Sequence, residues 1–213
     1  MRNKRVTNMK KSFPNRIYQC VIIYLVYSLA MICCIGFDIP MSINLIIYPL
    51  AMVVVSGLFV WSLNRIYHTP FSIDLKMPTK QTVKFTFITT FFVVFLYILG
   101  VKVLSENEFS KYPNTWYFFL SMAILTPLAE ELLFRGIFLK GLLQSYKKFW
   151  AILFSSVFFA LIHYDVSKPI GQNVYSLVLA LFLGIILGFM YVKTKNLWPS
   201  IFLHLSINVI GFI

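Results

Sequence analysis

Two adjacent glutamates, Glu130 and Glu131, stand in the middle of an apolar stretch, and Arg135 follows four residues after the second. Two of the three histidines, His163 and His204, fall in later apolar stretches, and Asn208 follows His204 by four. An acid beside a histidine can take a proton from water, and amide or imidazole N–H groups can steady a developing negative charge. Together these residue types could hydrolyse an amide bond. Each pattern also has a packing explanation. Glu131 and Arg135 share a helix face and can pair there, so a buried salt bridge would account for both. That bridge leaves Glu130, about 100° around the helix, without an intrahelical cation. The run Phe159-Ala160-Leu161-Ile162-His163 puts an aromatic ring one turn before the histidine. A lone histidine can equally be an interhelical hydrogen bonder, with Phe159 as simple packing. His204 and Asn208 could donate to one point, or form a polar stripe between helices.

The elements that carry these residues are membrane helices by composition. Of the 213 residues, 59% are hydrophobic, 18% aromatic and 12% charged, where a soluble domain is about a quarter charged. Apolar runs long enough to span a bilayer recur along the chain. They predict an all-α, polytopic transmembrane bundle of about seven spans, near 17–37, 43–63, 83–101, 116–143, 150–166, 174–192 and 197–213. Breakers separate them, among them Asp38-Ile39-Pro40, Thr69-Pro70, Met77-Pro78, Tyr112-Pro113-Asn114 and Lys168-Pro169. The fourth run would measure roughly 40 Å as a straight helix, so Pro127 is expected to kink or split it. Trp116, Tyr117, Trp150 and Trp198 near span ends read as an interfacial belt. Gly184 and Gly188 read as a small-residue helix contact.

The net charge of +12 does not imply nucleic-acid binding, because Lys and Arg cluster between apolar runs and form no basic face interleaved with aromatics. With the N-terminus in the cytoplasm, fifteen basic residues fall inside and three (Lys102, Lys111 and Lys168) outside, which predicts that orientation and an external C-terminus. Residues 1–16 are expected to be a basic arm at the lipid surface. The first apolar run reads as a retained span, without a signal-peptide cleavage site. Cys20, Cys33 and Cys34 lie within it and have neither metal-ligand nor disulfide spacing.

Depth decides whether the polar groups can meet. Counting from the basic ends, Glu130 is thirteen residues in from 143 and His163 fourteen in from 149, roughly 20 Å of helix each. His204 is shallower, and helix tilt can absorb the offset. Ionisable groups at that depth are costly and usually mark a functional path or site.

At these residues the sequence resembles the CAAX-protease and bacteriocin-processing (CPBP, or Abi) family of intramembrane endopeptidases. The resemblance rests on E-E-x-x-x-R, F-x-x-x-H and H-x-x-x-N in this order on successive apolar segments, with Pro127 before the acids and Phe134-Arg135-Gly136 around the arginine. It covers about 116–213, the expected catalytic core; residues 17–115 are expected to supply further spans. It implies Glu130 as general base, His163 as the residue that helps hold the water, and His204 and Asn208 as oxyanion stabilisers. Glu131, Arg135 and Phe159 would support them. It implies either no cofactor or a zinc ion on Glu130, His163 and His204, although no H-E-x-x-H motif is present. The expected substrate is a peptide or membrane-tethered protein in a bacterial cell membrane, with roles in bacteriocin processing or self-immunity. Two readings from other classes are a non-enzymatic immunity or scaffold protein and a proton-coupled transporter, since Glu and His chains also relay protons. The first predicts full cellular activity without Glu130, His163 and His204; the second predicts uptake that depends on a pH gradient.

Overall fold

The computed structural model describes residues 41–67, 73–104, 115–166 and 168–211. The expected span near 17–37, the basic arm and the three cysteines lie outside them. Among the described residues all regular structure is helical. The helices are α1 (Met41–Tyr67), α2 (Lys80–Leu104), α3 (Trp116–Leu142), α4 (Lys148–Leu161), α5 (Ile170–Thr194) and α6 (Trp198–Ile210). By length and composition, Lys80–Gly100 of α2, all of α3 and all of α5 can cross a membrane, whereas α4 and α6 are shorter apolar helices. The outward rings of α2, such as Phe87, Phe91, Phe92 and Phe95, are exposed, as expected of a helix whose solvent is hydrocarbon.

The most enclosed helix is α3: 56% of its apolar window is buried, against 33% for α5 and 11% for α2. It packs against α1, α4 and α6. Its winding is irregular. A π-helical stretch, Leu120–Leu125, leads into an α-helical turn, Thr126–Glu131, followed by a second π-helical stretch, Leu132–Leu139. Pro127 sits at the start of the α-helical turn and has no N–H to donate to the turn before it. Backbone angles at Leu125 and Thr126 are helical, so the chain is not split there. The winding changes on both sides of this turn, and π-helical stretches are frequent at functional sites.

A second proline fixes how α1 meets α3. Pro49 lies inside α1 and has no N–H to donate to the carbonyl of Leu45. Ser121 of α3 donates its hydroxyl to that carbonyl instead; side-chain hydroxyls commonly satisfy groups that proline frees in membrane helices. Leu45, Pro49 and Met52 are buried on the same face of α1, and Met52 packs with Ala129, Leu133, Phe134 and Phe159. Ser121→Ala should therefore cost about 1–3 kcal/mol by orphaning the carbonyl. Pro49→Ala in the same chain should recover most of that loss, because an alanine at that position restores the backbone donor. Thermal unfolding of the detergent-solubilised variants checks this. Equal stability of Ser121→Ala and the parent would contradict it.

The pair α4–α5 has a close backbone approach. A Cβ on Gly184 would lie 3.0 Å from Ser156 Cβ and 3.1 Å from its Cα, and one on Gly188 would lie 3.1 Å from Ile152 Cγ2. These glycines let the two backbones touch, the small-residue contact expected from the sequence.

Residues 73–79 form a strap across one end of the bundle. Asp74 Oδ2 accepts hydrogen bonds from Lys140 Nζ at 2.9 Å and from the Tyr191 hydroxyl at 2.8 Å. Its carbonyl accepts from Leu197 N at 2.9 Å. Asn196 Nδ2 donates to the Lys76 carbonyl at 2.7 Å. Burial raises the Asp74 pKa, but hydrogen bonds from Lys140 and Tyr191 and the nearby lysine charges hold it below the usual carboxylate range. The strap thus pins the ends of α3, α5 and α6 together.

Candidate active site

Glu130 and Glu131 share the α-helical turn of α3 between its two π-helical stretches. Both are buried, at 4% and 0% exposure, as are Arg135 (0%) and His204 (2%). Arg135 Nη1 donates to Glu131 Oε1 at 2.7 Å, the pair expected from their spacing. Arg135 Nη2 donates to the Gly184 carbonyl at 3.2 Å. The guanidinium also lies 4.3 Å from the centre of the Phe159 ring, a cation–π contact. One charged side chain thus joins α3, α4 and α5.

The ring of His204, from α6, stands between the two acids. Its Nδ1 is 3.0 Å from Glu131 Oε1, and its Nε2 is 3.7 Å from Glu130 Oε2. A carboxylate accepts, so Nδ1 carries the proton in this arrangement. That leaves Nε2 facing Glu130 across a gap slightly longer than a hydrogen bond, and the two can share one proton. Glu130 Oε1 accepts from the Tyr48 hydroxyl of α1 at 3.2 Å.

Phe159 is fully buried and forms the hub of the cluster. Its ring centroid lies 5.3 Å from that of Phe134, 4.8 Å from His163 and 5.6 Å from His204. Both histidines therefore rest on one aromatic ring. The sequence places His163 inside a span reaching 166, but α4 stops at Leu161 and His163 lies in the turn beyond. It is half-buried there, with Nδ1 2.9 Å from the Phe159 carbonyl. A carbonyl only accepts, so this bond places the proton on Nδ1 and leaves Nε2 as a free lone pair. The turn is held by the buried Asn173 of α5. Its Oδ1 accepts from Asp165 N at 2.8 Å, and its Nδ2 donates to the carbonyls of Asp165 at 2.8 Å and Lys168 at 3.0 Å.

His204 and Asn208 have separate partners in this geometry. Asn208 Nδ2 donates to the Met122 carbonyl on the first π-helical stretch at 2.9 Å, which occupies one of its two amide hydrogens. Among the described residues no three His, Cys, Asp or Glu side chains are grouped to hold a metal ion. Nδ1 of His163 and of His204 is engaged, which leaves Nε2 as the nitrogen each could offer to a ligand.

Sequence spacing does not reveal three contributors: Tyr48, the Gly184 carbonyl and Asn173. The aromatic Tyr48 sits on a helix without a motif, Gly184 acts through its backbone, and Asn173 acts on a turn rather than on the cluster.

Residues 112–210 match the family described as Type II CAAX prenyl endopeptidase Rce1-like. Two relatives match over parts of the chain. YdiL of Bacillus subtilis (strain 168), whose name proposes a membrane peptidase, is 35% identical over 86 residues, covering 40% of this chain and 32% of that protein. The UPF0177 protein YxdF of Lactococcus lactis subsp. lactis (strain IL1403) is 37% identical over 90 residues, covering 42% of this chain and 45% of that protein. The likeness thus spans less than half the length of either relative. No solved structure gives a significant match. The segment similar to the Rce1-like family, residues 112–210, contains both buried acids and both clustered histidines.

Proposed function

We propose that this protein is an intramembrane endopeptidase that hydrolyses a peptide bond in a peptide or membrane-tethered protein. The observation that carries the proposal is the second buried acid. Glu131 has Arg135 as its cation, whereas Glu130 has only the Tyr48 hydroxyl and the edge of His204 among its described partners. A structural ion pair needs one acid; a second buried acid beside a histidine is what proton transfer needs.

In this reading Glu130 takes a proton from water as the water oxygen attacks the scissile carbonyl. His163, through the unprotonated Nε2 that its Nδ1 bond to the Phe159 carbonyl leaves, positions that water. His204, once Nε2 is protonated, and the second amide hydrogen of Asn208 stabilise the oxyanion of the tetrahedral intermediate. Glu130 then returns the proton to the departing amine nitrogen as the C–N bond breaks. Glu131 and Arg135 hold His204 in place, and Phe159 carries both histidines. These steps call on side chains and water alone. The cell context we infer is a bacterial membrane with the N-terminus cytoplasmic, and the biological role is bacteriocin or leader-peptide processing, or self-immunity.

The test uses protein purified and reconstituted in liposomes with two quenched-fluorescence reporters. One ends in a prenylated Cys-aliphatic-aliphatic-X sequence, and the other carries a double-glycine leader. Cleavage of either, at a bond identified by mass spectrometry and unaffected by zinc chelators, is the expected result. Loss of cleavage on chelation with recovery on zinc addition would overturn the metal-free chemistry. Failure to cleave both reporters would overturn the enzyme reading.

A further inference from the structure

Tyr48 lies outside the matched segment 112–210 and outside every motif of the sequence, yet its hydroxyl donates to Glu130 Oε1 at 3.2 Å. We infer that Tyr48 is a positioning residue for Glu130, so that α1, from the N-terminal half of the chain, completes the active site. The inference rests on the reading of Glu130 as general base.

Three observations support it. First, Tyr48 makes the one described hydrogen bond to the Glu130 carboxylate, because His204 Nε2 stands off at 3.7 Å from the other oxygen. A glutamate has three rotatable side-chain bonds, and a base that turns between rotamers loses the near-attack geometry that speeds the step. With Oε1 held by the phenol, Oε2 faces His204 and is the oxygen left to receive the proton of water. Tyr48 keeps its own proton throughout.

Second, the placement of Tyr48 is encoded in α1 itself. Pro49 follows Tyr48 and frees the Leu45 carbonyl, which Ser121 of α3 then captures. This dock lies within one helical turn of Tyr48 and fixes the rotation of α1 about its axis. Third, Leu45 and Met52 bury the same face of α1, and Met52 packs with Ala129, Phe134 and Phe159 beside the acids. The phenol is therefore delivered to Glu130 by a helix whose rotation and height are both set.

The experiment compares the parent with Tyr48→Phe, Glu130→Gln and the double variant in liposomes, using whichever reporter the parent cleaves. Tyr48→Phe keeps the ring and its packing, so any fall in its thermal midpoint should be no larger than the loss of one hydrogen bond gives. Its kcat should fall by about 10-fold to 50-fold with KM changed by less than about 2-fold. The double variant should be no slower than Glu130→Gln alone, because the phenol acts only through that carboxylate. A purely structural tyrosine would lower the midpoint and leave kcat unchanged. A Tyr48→Phe protein with the parent's kcat, alongside an inactive Glu130→Gln, overturns this inference and leaves the proposed function standing. A Glu130→Gln protein with full activity overturns the proposed function and this inference with it, as does a parent that cleaves neither reporter.

Discussion

Glu130→Gln should yield a folded protein that cleaves its reporter at least about a thousandfold more slowly than the parent, because general-base assistance is worth roughly 10²–10⁴ in rate. Glutamine matches glutamate in shape, and its carbonyl oxygen can still accept from Tyr48, so packing among α1, α3 and α6 is kept. What it loses is the ability to take a proton. The contrast with its neighbour makes the test specific. Glu131 receives Arg135 at 2.7 Å and His204 at 3.0 Å on one oxygen. Glu131→Gln should therefore appear first in thermal unfolding and only then in rate. Adjacent residues of one type would thus separate into a chemical and a structural role. Kinetics at saturating reporter, set beside unfolding midpoints for both variants, provide the measurement. If Glu130→Gln cleaves within about tenfold of the parent, far less than base catalysis supplies, Glu130 is not the base.

Much of this arrangement was legible in the sequence because it depends on short-range periodicity. The i,i+4 spacing of Glu131 and Arg135 needs only a helix to bring the two groups together, and they meet as expected. Phe159 and His163 are likewise one turn apart, and their rings touch although the helix ends between them. Helix positions followed from the lengths of the apolar runs. The remainder depends on contacts across the fold, which spacing does not encode. Nothing local to Tyr48 points to Glu130, 82 residues away. Asp74 reads as an ordinary loop acid, yet it accepts from Lys140 and from Tyr191, 117 residues distant. The π-helical stretches around Thr126–Glu131 were also hidden, since Pro127 signals a disturbance but not its form. The early end of α4 at Leu161 was hidden too. Apolar composition continues through Ile162, and Asn173, on the next helix, pins the turn that follows.

Arg135→Met should be the most destabilising single change in the C-terminal half, by about 3–5 kcal/mol, the usual cost of stranding a buried charge. Methionine fills similar volume but has no charge and no N–H. Glu131, fully buried, would lose its cation and keep His204 on the same oxygen, the Gly184 carbonyl would lose its donor, and Phe159 would lose the cation over its face. The glycine contact between α4 and α5 leaves little freedom to adjust, because Gly184 already lies against Ser156. The second variant separates stranded charge from lost packing. If the damage comes from an unpaired Glu131, then Glu131→Gln added to Arg135→Met should restore about half or more of the lost stability, since removing both members of a buried pair is far milder than removing one. Activity should stay low in the double variant, as His204 then lacks the charged partner that orients it towards Glu130. Denaturation in mild detergent, followed by circular dichroism, reads all three proteins. Unchanged stability of Arg135→Met would mean that α3, α4 and α5 are joined by apolar packing alone, and the charged cluster would have no structural duty.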